Sequence, residues 1–267
     1  MSKNAWEAHA ALAVAENGVA TLSISNAGSL NILSTPVVAA LSAALADIAQ
    51  RPEIRVLVLR GEGDKAFVAG ADIKEMAGFD QAGAAAFIDS LRQLCDSVRL
   101  LAVPVIARMP GWCLGGGLEF ALACDLRIAA DAAKLGMPEV QVGIPSIIHA
   151  ALLPRLIGKA RASWMLLTGE VVDAPAALSY GLVDRVVPLD ALDAEVARVA
   201  DLLAGLGSQV LAQQKRLLRE WEDEPLDTSI RNGVKEFAAA FNTGEPQKYM
   251  GEFVRAKQAR KRPADAG

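Results

Sequence analysis

The sequence predicts an α/β protein whose last part is helical, and three observations carry that prediction. Over the first ~190 residues, short apolar or alternating runs suited to strands are interleaved with alanine- and leucine-rich segments of helical period. From Asp190 onward the pattern is almost wholly helical. The chain has 267 residues, 52% of them hydrophobic, which is enough for one large core, alone or with a small appendage.

The elements follow in order. Residues 18–25 (GVATLSIS) alternate apolar and polar and read as a strand. Residues 36–50 have helical spacing. Residues 55–60 (RVLVLR) read as a buried strand, closed by a turn at 61–64. A short β-like run at 66–69 leads through a loop at 70–72 to a helix start, where Asp72 suits the N-cap. Residues 84–101 are helical and break at Pro104, and 105–109 form the next strand. After the turn at Pro110 and Gly111, the glycine run 115–117 opens a helix that lasts to Cys124. Residues 126–129, 134–136 and 182–187 are further short strands. The pattern divides the chain into an α/β core over 1–195 and a helical region over 196–267, whose charged end from 260 is expected to fray.

Composition narrows the function. With 27 basic and 31 acidic residues the net charge is −4, without the basic excess of a nucleic-acid binder. Cys95, Cys113 and Cys124 lack metal-ligand spacing and read as small buried hydrophobes in a reducing compartment. Two histidines, His9 and His149, supply a metal site or a Ser/His/Asp triad poorly, so no metal is expected. No apolar run reaches the ~20 residues of a membrane span. The apolar residues 8–15 are too short for a signal segment and are flanked by Glu7 and Glu16. A soluble cytoplasmic protein is expected.

Three segments carry chemistry. In 111–125 (GWCLGGGLEFALACD) the three glycines let backbone approach a ligand closely, and the helix start offers free N–H groups. Gly116 and Glu119 are three apart, hence on one helix face, so a polarising N–H and a carboxylate could share a cavity. The competing reading is a glycine turn followed by an acid that complements the helix dipole. In 65–76 (KAFVAGADIKEM) a strand ends in a glycine kink, which ordinary capping also explains. In 134–145 (KLGMPEVQVGIP) Glu139 follows a proline within an apolar stretch, where an acid is paired, functional or simply on a surface loop.

In order and spacing, AFVAGADIKEM, GWCLGGGLEFALACD, MPEVQVGIP and LTGEVVDAPAALSYGLVDRVVP resemble the enoyl-CoA hydratase/isomerase (crotonase) family. The likeness spans roughly residues 15–190, and FNTGEPQKYMGEFVRAK is similar to that family's tail. The resemblance implies a spiral core of stacked ββα units and C-terminal helices that build a trimer or a dimer of trimers. It implies an oxyanion hole from the N–H groups of Ala71 and Gly116, with Glu119 and Glu139 as the two acid/base carboxylates. Lys65 and Lys74 match positions near the coenzyme-A phosphates, and the strip Ala69, Gly70, Ala71, Asp72 and Ile73 matches the adenine-binding loop. Coenzyme A then enters as part of the substrate, and no separate cofactor is needed. Because both hydratase acids are present, the resemblance favours water addition to an enoyl-CoA thioester; an isomerase usually keeps an acid at the Glu139 position only.

The chain departs from the family after Pro145. A glycine-rich stretch is expected there, but the sequence reads SIIHAALLPR over 146–155. Ser146 and His149 in this segment, and separately Trp112 and Met76, are taken as candidate acyl-pocket residues. His149 also reads as a satisfied helix-face histidine, and Trp112 as a core or interface aromatic. The alternatives to hydration are an isomerase or a dehydratase acting on an unusual acyl-CoA, and, from another class, a non-catalytic RNA-binding or scaffolding oligomer.

Overall fold

The computed structural model describes residues 5–261. In chain order, a hairpin of β1 (Ala10–Val14) and β2 (Val19–Ile24) precedes α1 (Thr35–Ile48). Next come β3 (Val56–Arg60), β4 (Ala66–Val68), the single turn α2 (Ile73–Met76) and the long α3 (Gln81–Leu100). β5 (Val105–Met109), β6 (Trp112–Leu114) and α4 (Gly116–Leu122) are followed by β7 (Leu126–Ala130) and β8 (Lys134–Gly136). Two 3₁₀ turns, Pro138–Val142 and Ile148–Leu152, lead to α5 (Leu153–Ile157) and α6 (Lys159–Thr168). β9 (Val171–Asp173), α7 (Ala174–Tyr180), β10 (Arg185–Val187) and α8 (Leu192–Ala204) end the first compact unit at Gly205. The second begins at Leu206 and contains α9 (Ser208–Glu220), α10 (Leu226–Ala240) and α11 (Glu245–Lys261). The fraying expected at the C-terminus concerns mainly 262–267, outside the described residues.

From β3 to β8 strands go alternately to two sheets, which gives the spiral. One sheet has the order β1-β2-β3-β5-β7-β10 and the other β4-β6-β8-β9. Pairs β3/β4, β5/β6 and β7/β8 each place one strand in either sheet, and their neighbours within a sheet run parallel. This is the stacked ββα core that the resemblance implies. β3 is apolar up to Arg60, and β5 is apolar but for Arg108, because both faces are covered: Val56, Leu57, Val105 and Ile106 are fully buried. The ring of Phe67 on β4 stacks with that of Phe120 on α4, centroids 5.9 Å apart.

The sequence pattern divides the chain after residue 195, a point that lies inside α8. Leu192, Val196 and Ala200 of that helix are buried with Val58, Ile106 and Ile128 of the sheet. The buried Arg108 guanidinium on β5 also pairs with Asp193 at the start of α8 and with Asp64 at 2.7 Å. The first unit therefore runs through α8.

Three strands have no counterpart in the sequence reading. β1 lies within the apolar segment at residues 8–15; its outward positions, Ala11 and Ala13, are apolar like its inward ones, so no polar/apolar alternation marks it. β6 and β9 have three residues each, too few for a period to register.

Candidate active site

The site is assembled at the start of α4. Gly115, just before it, has φ +52°, a region that favours glycine. A Cβ there would also lie 2.4 Å from Glu139 Oε1, so the absent side chain is what lets that carboxyl approach the backbone. Gly117 is required for a different reason. A Cβ on it would stand 2.1 Å from the Val68 carbonyl oxygen, so only glycine lets α4 press against β4. The glycine run thus brings the α4 N-terminus against the end of β4, where Gly70 and Ala71 lie.

Two backbone donors meet there. Leu33 N–H donates to Gly70 O at 3.0 Å, and Asp72 N–H donates to Leu33 O at 3.1 Å. Peptide groups alternate sides along extended chain, so the Ala71 N–H faces away from Leu33. Gly116 is the first residue of α4, where N–H groups have no helical acceptor. Among the described residues neither N–H has an acceptor. A Cβ built on Gly116 would lie 4.0 Å from Ala71 N, which shows how closely the two backbones converge.

Both residues line a cavity of about 440 Å³, together with Glu119, Glu139 and Ser146. Its walls are otherwise chiefly apolar, with Met76, Phe79, Phe87, Ile88 and Leu91 contributed by α2, α3 and the loop between them. Glu119 is 3% exposed, and its Oε1 accepts from the Ala150 N–H at 3.0 Å. Burial, reinforced by the Glu139 charge and opposed by the Ala150 N–H, pushes its carboxyl up to about 8. Glu139, half-buried on the Pro138–Val142 turn, accepts from Ser146 Oγ at 2.8 Å. At neutral pH the cavity therefore holds a largely protonated Glu119 facing a second carboxyl.

The structure brings together Ala69, Gly70, Ala71, Ile73, Met76, Gly116, Glu119, Glu139 and Ser146 around this cavity. It does not bring His149 or Trp112 there, which corrects their placement as pocket residues. The His149 side chain is 6% exposed, and its Nε2 lies 3.3 Å from Asp96 Oδ1 on α3, so the carboxylate draws the ring into the protein rather than into the cavity. Trp112 is 39% exposed on β6, two positions before the cavity-lining Leu114 and roughly 6–7 Å along the strand from it. Asp72 caps α2 as its spacing suggests, accepting from Lys74 N–H and Glu75 N–H. Lys65 and Lys74 are exposed and do not line the cavity.

Sequence reasoning missed the Ala150 N–H, because a backbone donor leaves no trace in residue type. It also missed the wall formed by α3: amphipathic spacing marks Phe87 and Leu91 as inward-facing but does not say whether core or cavity lies opposite. The left-handed backbone at Ile148 had no signal in the sequence. Its φ of +38° is rare for a β-branched residue and costs about 1–3 kcal/mol.

Free N–H donors converging beside two acids define an enzyme site suited to an acyl oxygen on which negative charge develops. The enoyl-CoA hydratase/isomerase model matches residues 14–261, and the chain belongs to that family. It is 35% identical to a probable enoyl-CoA hydratase of Mycobacterium tuberculosis, over 88% of this chain and 91% of the relative. It is 32% identical to a crotonyl-CoA hydratase of Syntrophomonas wolfei, over 91% and 94%. Among solved structures, an enoyl-CoA hydratase from Bacillus anthracis superposes with a TM-score of 0.89 at 32% identity, covering 93% of this chain and 96% of that one.

Proposed function

We propose that this enzyme adds water reversibly, in syn fashion, across the 2,3 double bond of an enoyl-CoA thioester, with Glu119 and Glu139 as its acid/base pair. The observation that carries the reading is the pair of carboxyls sharing one cavity with the acceptor-free N–H groups of Ala71 and Gly116. The similarity to enoyl- and crotonyl-CoA hydratases supports it.

The chemistry follows from charge. When water oxygen bonds to Cβ, the electron pair of the double bond moves through Cα onto the thioester oxygen. The N–H groups of Ala71 and Gly116 donate to that oxygen, and one such donor is worth about 3–4 kcal/mol at the transition state. The ionised member of the carboxyl pair takes a proton from water, and the protonated member gives its proton to Cα. The pair ends with the one proton it began with. Burial holds that proton on Glu119 in the free enzyme, while Ser146 donates to Glu139.

Exposed Lys65 and Lys74 suit the coenzyme-A phosphates, and the Ala69–Ile73 strip suits the adenine; coenzyme A belongs to the substrate. In the second unit, Leu226, Ile230, Val234 and Phe237 recur at four- and three-residue spacing along α10 and are exposed. That stripe supports self-association as a trimer or a dimer of trimers. We place the protein in the cytoplasm.

The test is crotonyl-CoA hydration by Glu119→Gln and Glu139→Gln. Each is expected to lower kcat by about 100-fold or more, with coenzyme-A binding kept. Near-wild-type turnover in both variants sinks the reading. An isomerase instead leaves crotonyl-CoA inert and shifts the double bond of a 3-enoyl-CoA.

A further inference from the structure

We infer that His149, anchored on Asp96, is a positioning residue for Glu119: it fixes the Ile148–Leu152 turn so that the Ala150 N–H stays on the Glu119 carboxyl. The inference rests on the hydration reading, in which Glu119 acts.

The argument starts with the backbone. The glycine-rich stretch expected after Pro145 is replaced by SIIH, yet the chain still enters the left-handed region, at Ile148 with φ +38°. Such a conformation persists in a β-branched residue only when its surroundings hold it. Two residues on, the Ala150 N–H donates to Glu119 Oε1 at 3.0 Å. The turn therefore presents the donor from a conformation that must be held against its own preference.

His149 lies between these two residues and supplies a hold. Its ring is buried against α3, with Nε2 3.3 Å from Asp96 Oδ1. Asp96 is itself fixed by Arg92, whose Nη1 lies 2.5 Å from Oδ2. The turn is thus tied by a side chain to the helix that also forms one wall of the cavity.

The His149 Nδ1 is buried and has no hydrogen-bond partner among the described residues. Leaving a buried polar atom unpaired costs stability, so a packing role alone is better served by an apolar residue. The charged groups acting on the ring are Asp96, Arg99 and Arg92, all from α3. Burial holds the imidazole below its ordinary value, with Asp96 opposing. The neutral ring then donates from Nε2 to Asp96, which leaves Nδ1 bare.

Glu119 in turn is faced by Glu139 from the Pro138–Val142 turn, by the Cys95 thiol from α3 and by the Ala150 N–H. Of these, only the N–H favours the charged carboxylate. Loosening the turn therefore raises the pH at which Glu119 ionises.

The experiment measures kcat, KM and the pH profile of crotonyl-CoA hydration for His149→Ala, His149→Gln and Asp96→Asn, with His149→Ala also made in the Glu119→Gln background. His149→Ala is expected to lower kcat about 10–100-fold, the range for a hydrogen bond to a charged group, with KM little changed. Its alkaline limb moves to higher pH. His149→Gln, which can still donate to Asp96, restores most of the rate. In the Glu119→Gln background the His149→Ala change costs less than about twofold, since residues acting as one unit are not additive.

A wild-type pH profile together with a fully additive double variant overturns the positioning role, as does full kcat in His149→Ala. Should His149→Ala not fold, Asp96→Asn carries the test: a limb shift of the same sign supports the role, and none overturns it. An active Glu119→Gln enzyme would instead overturn the hydration reading itself, so the two failures are distinct.

Discussion

Ser146 Oγ donates to Glu139 Oε2 at 2.8 Å, across the place where the family's glycine-rich stretch is replaced. The replacement therefore puts a side-chain donor on one of the two carboxyls, and does more than alter the shape of the acyl pocket.

Ser146→Ala removes that donor without adding bulk. A hydrogen bond to a charged group contributes about 1.5–3 kcal/mol, so kcat for crotonyl-CoA hydration is expected to fall at least about tenfold with KM nearly constant. Ser146→Thr, which keeps the hydroxyl, retains most of the rate. If alanine performs as well as serine, Glu139 is held by other means.

The pH profile of kcat/KM is expected to show an alkaline limb near 8, where Glu119 loses the proton it donates. Activity falls about tenfold per pH unit above it. Glu119→Gln cannot lose that proton, so its residual activity shows no limb there. A limb unchanged in that variant assigns it to another group.

Glu119 also links stability to pH. Its folded carboxyl sits at about 8 against an ordinary 4.5, so between these values the folded chain binds more protons than the unfolded one. Stability then falls as pH rises through that window. Glu119→Gln abolishes this dependence while keeping an acceptor for the Ala150 N–H. Its Tm relative to wild type is expected to increase across the window and level off above about 8. Parallel Tm curves for the two proteins contradict the burial argument.

The neighbouring glycines should respond differently to alanine. At Gly117 the new methyl meets the Val68 carbonyl at 2.1 Å, and backbone has to move. Gly117→Ala is expected to cost more than about 3 kcal/mol, or to prevent folding. At Gly116 the nearest atom is Leu91 Cδ2 at 2.9 Å, the end of a flexible side chain. Gly116→Ala should fold, with its penalty seen mainly as altered acyl binding. Thermal melts of the two variants decide the matter, and equal losses contradict this geometry.

Much of the fold was legible because its strands and helices carry strong local patterns. β3 announces itself by its run of four apolar residues and β5 by an apolar stretch broken only at Arg108, and α1 and α3 by their period. β6 and β9 are too short to carry one, and they exist because neighbouring strands of the second sheet supply their hydrogen bonds. The motif around residues 115–119 marked the site through residue types that local geometry demands, namely glycines at a close approach and an acid three residues later.

The sequence by itself thus determined the α/β class, the family, and the pairing of two acids with a glycine-opened helix, since these depend on residue type and spacing along the chain. Tertiary structure decided what lies across space. It turned His149 toward Asp96, left Trp112 off the cavity, and set the Ala150 N–H on Glu119 and the Ser146 hydroxyl on Glu139. The physical reason is that a side chain's partner and its burial depend on residues distant in sequence. Residue type does not set the Glu119 carboxyl apart; burial at 3% exposure, reinforced by the Glu139 charge, pushes it up to about 8.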